Sequence, residues 1–169
     1  ASTGGHLFDD WSEEDADKVV SAAAGVRELG GDYVFFTAAP KGGWGQDVPV
    51  TEDNLRLAGD RLSALAGRVR AEGIAIGLHN HAATSQGLAA EVALISQHTD
   101  PSLVGLYLDV AWAFCADGDP LQLIADLGSR CMGFHLRNHT IDKVPTEGLL
   151  GGELDIAAIV AAIVGMGYD

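Results

Sequence analysis

The feature that most constrains this chain is a set of four short apolar runs, Tyr33 to Thr37, Ile74 to Leu78, Leu103 to Leu108 and Cys131 to Leu136, each hydrophobic on both faces. Such runs are too short for helices and lack the alternation of a half-exposed strand, so they read as strands covered on both sides. Helical patterns fill the intervals. Ser12 to Leu29 opens with Ser12 and Asp15 at the spacing of a capping box, and Thr51 to Ala71 places Leu55, Ala58, Leu62, Leu65 and Val69 on one face. A weaker helix spans Gly87 to Gln97, and another begins at Pro120, a residue preorganised for a first helical turn. A last helix follows Asp155 with Ile156, Ile159, Val160 and Ile163 facing inward, and Gly30, Gly73 and Gly128 stand near helix ends. Strand and helix alternate throughout, so the class is α/β, with a parallel sheet and right-handed crossovers. A barrel and an open doubly wound sheet both satisfy this alternation. No Gly-rich phosphate loop follows any strand to favour a nucleotide-binding open sheet.

A chain of 169 residues, 47% of them hydrophobic, buries one sizeable core and is expected to form a single domain over residues 1–169. Its 10 Lys and Arg against 24 Asp and Glu give a formal charge of −14, which repels nucleic acid and anionic membranes and draws divalent cations toward clefts. Cys115 and Cys131 have no CxxC spacing and do not read as a disulfide framework. Neither an apolar run of membrane-spanning length nor a signal-peptide pattern in Ala1 to Gly5 is present, so a cytoplasmic location is expected. The first residue is Ala1 rather than an initiator Met, which raises the expectation that this is a processed or excised piece of something longer.

Three strand patterns run directly into polar residues: Leu78 into His79-Asn80-His81, Leu108 into Asp109, and Phe134 into His135. In a barrel all strand ends of this kind converge on one face, where active sites are built. Imidazole and carboxylate together suit Zn, Mn, Co or Fe. A solitary buried His is more often a hydrogen-bonded core residue, and an Asp ending a strand is often a helix cap. Three coincident strand ends favour the metal reading.

The run Leu106-Tyr-Leu-Asp-Val-Ala-Trp-Ala-Phe-Cys-Ala-Asp-Gly-Asp-Pro120, then Gly133-Phe-His-Leu-Arg137, then Gly151-Gly-Glu-Leu-Asp155 and Gly167-Tyr168, resembles the xylose isomerase-like TIM barrels, the sugar phosphate isomerase/epimerase group. The likeness extends over nearly the whole chain, and His79-Asn80-His81 resembles the His-Asn-His of many members. It implies a parallel (β/α) TIM barrel, here incomplete, with about six of eight βα units and the first and last strands missing. It implies Asp109 and His135 as ligands of a divalent metal ion, Mn, Zn, Co or Mg. His79 stands where many relatives place a Glu that binds metal or moves a proton, so His79 is a candidate ligand and, with His81, a candidate catalytic group. The other reading of His81 is a hydrogen-bonding partner behind the ligands. Arg137 stands where relatives often carry a Lys near substrate, against the reading of a plain solvated arginine. Trp44, in the glycine-rich loop Lys41 to Gly45, and Trp112 are further candidates for substrate contact, with an anchor for its own loop as the other reading of Trp44. Relatives also supply a carboxylate from the last strand, which is expected to be absent here, and Glu153 reads as a helix cap rather than its replacement.

The activity implied is metal-dependent proton transfer beside a carbonyl of a keto sugar or keto-cyclitol, as isomerase, epimerase or dehydratase. The expected partner is a small carbohydrate substrate, with no nucleic acid and no membrane, and a homo-oligomer is expected because an opened barrel exposes strand edges. One rival is a non-catalytic truncated barrel or sugar-binding subunit. Another is an abasic-site endonuclease-like barrel, disfavoured by the acidic charge and by Trp112 standing where such enzymes carry a further His ligand.

Overall fold

The computed structural model describes residues 2–8, 10–38, 50–81 and 87–168. Among them are five strands, β1 (Ser2–Gly5), β2 (Tyr33–Ala38), β3 (Ala75–His79), β4 (Val104–Asp109) and β5 (Cys131–His135). They lie side by side in the order β1-β2-β3-β4-β5, and every neighbouring pair is parallel. This order separates the two architectures left open by alternation alone. A doubly wound sheet reverses its strand order at a switch point, whereas a barrel advances by one strand in one direction at each crossover. The sheet here never reverses.

The four strands legible as apolar runs fall where expected within a residue or two. β1 is additional, because Ser-Thr-Gly-Gly carries no apolar run and is a strand by virtue of its backbone pairing, Ser2 to Phe35 through Gly5 to Ala38. Five βα units therefore stand among the described residues, where the sequence suggests about six.

Helix starts follow side-chain chemistry. In α1 (Glu13–Glu28) the Ser12 hydroxyl accepts from the Asp15 N–H at 3.2 Å while Asp15 accepts from the Ser12 N–H at 3.1 Å, completing the expected box. Thr51 caps α2 (Glu52–Ala71), and Asp119 with Pro120 opens α5 (Pro120–Leu127). The helix expected over Gly87 to Gln97 divides into α3 (Gly87–Ala93) and one π-helical turn, Leu94–His98. For α6 (Ile156–Gly165) the cap is Asp155, which accepts from the Ala158 N–H at 3.0 Å. Glu153, read from sequence as the cap, lies two residues further out, exposed, and gives its own N–H to the His139 carbonyl at 2.8 Å.

One face of the sheet buries Val34, Phe36, Ile76, Leu78, Leu106 and Leu108 against Val19, Leu62, Leu65, Val69, Ile124 and Ile159 of the helices. Each such side chain contributes roughly 1.5–3 kcal/mol through burial. The opposite face is built from aromatic rings set beside glycines. Phe35 stacks on Tyr107 with centroids 4.6 Å apart, and a Cβ on Gly133 would meet the Tyr107 ring at 2.5 Å. A Cβ on Gly77 or Gly105 would meet the Met132 sulfur at 2.5 or 2.8 Å. Large and small residues thus interdigitate into a floor beneath the carboxyl ends of β3, β4 and β5.

Candidate metal centre

Asp109 ends β4 with no solvent exposure. It also caps α4 (Val110–Cys115): Oδ1 accepts from the N–H groups of Ala111 at 3.0 Å and Trp112 at 2.9 Å. The second oxygen has different company. Oδ2 lies 3.0 Å from His135 Nδ1, 3.4 Å from His79 Nε2 and 2.8 Å from Arg137 Nη2. The cap reading of Asp109 is therefore met by one oxygen, and the other is left facing the imidazoles.

The carboxylate is held from behind. Asn80 is 1% exposed, accepts from the Asp109 N–H at 2.7 Å and donates to the Asp109 carbonyl at 3.0 Å. Because side chains alternate along a strand, a site-facing His79 and His81 require Asn80 to turn toward the helices, where it reaches the neighbouring strand. His79 Nδ1 stands 3.4 Å from the Thr37 hydroxyl, and its ring packs by Phe35 and Tyr107 at 5.4 and 5.8 Å. The His81 N–H is shared between both oxygens of Glu91, a 2% exposed carboxylate in α3, at 3.0 Å each.

Thr37 and Glu91 were not singled out by the sequence reading. Glu91 had a signal, since it is the one charged residue in the otherwise apolar Gly-Leu-Ala-Ala-Glu-Val-Ala helix. Thr37 ended an apolar run and had none.

The donor atoms of His79, Asp109 and His135 all lie within 4.8 Å of one another, the one group of this kind among the described residues. His79 Nε2 is buried and makes no hydrogen bond. Two bonds of about 2.1 Å meeting at 90–110° place their donor atoms about 3.0–3.4 Å apart. The two contacts of Asp109 Oδ2 with imidazole nitrogens have that spacing, so the residues present fit a divalent ion.

Around this trio the other candidates divide. Arg137 is not a plain solvated arginine: besides pairing with Asp109, its guanidinium carbon lies 4.8 Å from the centroid of Trp112. Trp112 also packs on His81 at 4.3 Å and near His139 at 6.0 Å. Trp44 lies outside the described residues. Asn138 is committed to its own loop, donating to the carbonyls of Leu149 and Leu154 at 2.7 and 2.9 Å and accepting from the His139 and Leu154 N–H groups at 2.9 Å each.

The charges suit cation binding. Burial pushes the Asp109 carboxyl up, but contact with His79, the Trp112 N–H and the Arg137 guanidinium outweigh it and hold the group below its ordinary value. Burial pushes His81 down to about 4, assisted by His79, and burial also lowers His135 and His139. An ionised carboxylate beside a neutral His135 imidazole is the state a metal ion requires of such donors.

A parallel sheet in unbroken sequential order, with imidazole and carboxylate donors gathered at its strand ends, defines a β/α-barrel protein with a candidate site on the carboxyl face. The sequence model of the xylose isomerase-like TIM barrel family matches residues 5–169, and the chain belongs to that family. It is 23% identical over 136 residues to inosose dehydratase of Salmonella typhimurium (strain LT2), an alignment covering 70% of this chain and 45% of that enzyme. The chain thus spans about half the length of the curated relatives it matches. Among solved structures, a sugar phosphate isomerase/epimerase from Parabacteroides distasonis superposes with a TM-score of 0.72 at 23% identity, over 94% of this chain and 58% of that one. The IOLI protein with a bound zinc atom superposes with a TM-score of 0.72 at 18% identity, over 99% and 64%. The curated relatives that it matches are inosose dehydratases, and solved structures that share its fold include an L-ribulose 3-epimerase and a probable 3-DHS dehydratase. Among the described residues no helix is long and apolar enough to cross a membrane.

Proposed function

We propose that this chain carries the metal-binding face of a carbohydrate-converting enzyme, one that moves a proton beside the carbonyl of a keto sugar or keto-cyclitol. The observation that carries the reading is the convergence of His79, His135 and Asp109 Oδ2 from three separate strands, with Asp109 fixed from behind. A bound divalent ion would supply Lewis acidity toward the substrate carbonyl. Asp109, His135 and His79 would hold it, and two imidazoles with one carboxylate suit Zn, Co, Mn or Fe better than Mg. The zinc in the IOLI structure is in keeping with that preference.

The chain's own residues do the rest. His81, neutral at physiological pH and packed on Trp112, accepts or returns the proton. Its backbone is anchored by Glu91, so the imidazole is carried on a fixed segment. The Trp112 ring offers a face to the apolar side of a sugar, and Arg137 offers donors to its oxygens. Isomerisation, epimerisation and dehydration all begin with this proton transfer. Similarity to inosose dehydratase favours a keto-cyclitol and loss of water.

The test is metal content and proton exchange in the intact polypeptide. Purified protein should hold about one divalent ion per chain, the Asp109→Asn variant far less, and the protein should catalyse deuterium wash-in beside the carbonyl of a keto-cyclitol. Equal metal in variant and parent would sink the assignment.

A further inference from the structure

Asp109 has one oxygen to spare, and a cation of the chain already occupies it. Oδ1 is committed to two backbone N–H groups, while Arg137 Nη2 sits 2.8 Å from Oδ2, nearer than either imidazole nitrogen. We infer that Arg137 is a resident counter-cation which a divalent ion must displace from Asp109, so that loading the metal releases the guanidinium toward the substrate. This inference rests on the metal-site reading above.

The physical case begins with burial. A carboxylate with no solvent exposure needs a compensating positive charge, and Arg137 supplies it. An ion bonded to Oδ2 would place two further positive charges within about 4 Å of the guanidinium, where water screens little. One carboxylate does not satisfy both cations. Asp109 cannot leave, because Asn80 holds its backbone and α4 holds its other oxygen. Arg137 can: its side chain is 28% exposed.

Its present seat is also imperfect. The Nε donor of Arg137 is buried without an acceptor, although the guanidinium has the face of Trp112 as a second support. Moving off Asp109 frees donors in the fixed fork geometry that matches carboxylate or enediolate oxygens. The consequence is an order of binding, metal first and substrate second. Arg137 would then suppress substrate binding in metal-free protein and contribute to it in loaded protein.

Zinc titration of the intact polypeptide tests this by two readouts that need no turnover: affinity by competition with a chromophoric chelator, and tryptophan fluorescence. Arg137→Gln should bind zinc about tenfold more tightly than the parent or better, the scale of one hydrogen bond to a charged group. In the parent, fluorescence should change in step with zinc uptake as the guanidinium leaves Trp112; the change should vanish in Trp112→Phe and shrink in Arg137→Gln although that variant binds zinc. Equal or weaker zinc binding by Arg137→Gln, with Asp109→Asn unable to bind, would overturn the exchange and leave the metal site standing. So would a zinc-loaded parent whose Trp112 emission does not move, a result that does not depend on any variant folding. If instead the parent takes up no zinc, or Asp109→Asn takes up as much, the metal site itself falls and this inference with it.

Discussion

Two tripeptides at strand ends, His79-Asn80-His81 after β3 and His135-Leu136-Arg137 after β5, follow the same alternation and are built to opposite ends. In each, the outer residues face the site and the middle one turns toward the helices. In the first, His79 is 7% and Asn80 1% exposed, Asn80 clamps Asp109 by both backbone groups, and Glu91 holds the His81 N–H. In the second, the side chains of His135 and Arg137 are 45% and 28% exposed, and Leu136 only packs against the apolar core. One arm is fixed and the other is open. The proposed metal site would need both: rigid placement of the anionic donor, and a side from which an ion and a substrate could enter. What distinguishes the arms is the chemistry of the residue pointing away from the site.

The largest expected effect breaks the fixed arm at that residue. Asn80→Ala removes two buried hydrogen bonds and leaves the Asp109 N–H and carbonyl unsatisfied, which should cost about 2–4 kcal/mol of unfolding free energy. Leu136→Ala should open a partly buried apolar contact and leave the Asp109 backbone untouched. Chemical denaturation measures the difference, and the comparison loses its basis if Asn80→Ala is the milder of the two.

A smaller effect separates the two histidines. His79→Ala empties a buried place against Phe35 and Tyr107 and should cost roughly 1–3 kcal/mol, whereas His135→Ala at a half-open place should cost about 0.5 kcal/mol or less. Metal retention should fall sharply in both. Denaturation midpoints and elemental analysis of the same two preparations give both readings at once; retention that follows stability rather than ligand count would show that the arms differ in fold alone.

Much of this arrangement is legible in the sequence, and the reason is periodicity. Strands covered on both faces leave continuous apolar runs, so β2 to β5 declare themselves, and the polar residues ending three of them, β3 to β5, mark the carboxyl face. β1 is not legible because Ser2 to Gly5 carries no apolar run and is a strand through its backbone pairing with β2. Asp109, His135 and His79 were found as strand ends, but that one carboxylate serves α4 and the imidazoles with separate oxygens depends on side-chain direction, which spacing does not carry. Glu91 is a polar residue on a helix that meets a loop ten residues upstream, a contact made by tertiary packing. The pairing of Arg137 with Asp109 joins β4 to the residues past β5 and has no local trace for the same reason.

The smallest expected effect sharpens the contrast between arms through pH. Burial, with His79 beside it, lowers the His81 pKa in the folded chain to about 4 from 6.5, so between those values the unfolded chain takes up a proton that the folded chain refuses. Protons then favour unfolding: stability is complete above 6.5 and declines as pH falls toward about 4. His135 is lowered too, first by burial, but Asp109 beside it opposes the shift, and its side chain is 45% exposed, so its share has the same sign and a smaller size. His81→Gln should therefore flatten the loss of thermal stability between about pH 7 and pH 4.5 more than His135→Gln does. Solvent reaching His81 in part keeps the effect to a few degrees. If the two variants flatten the profile equally, or His135→Gln does so more, the acid sensitivity belongs to the open arm and the fixed arm is fixed by hydrogen bonds alone.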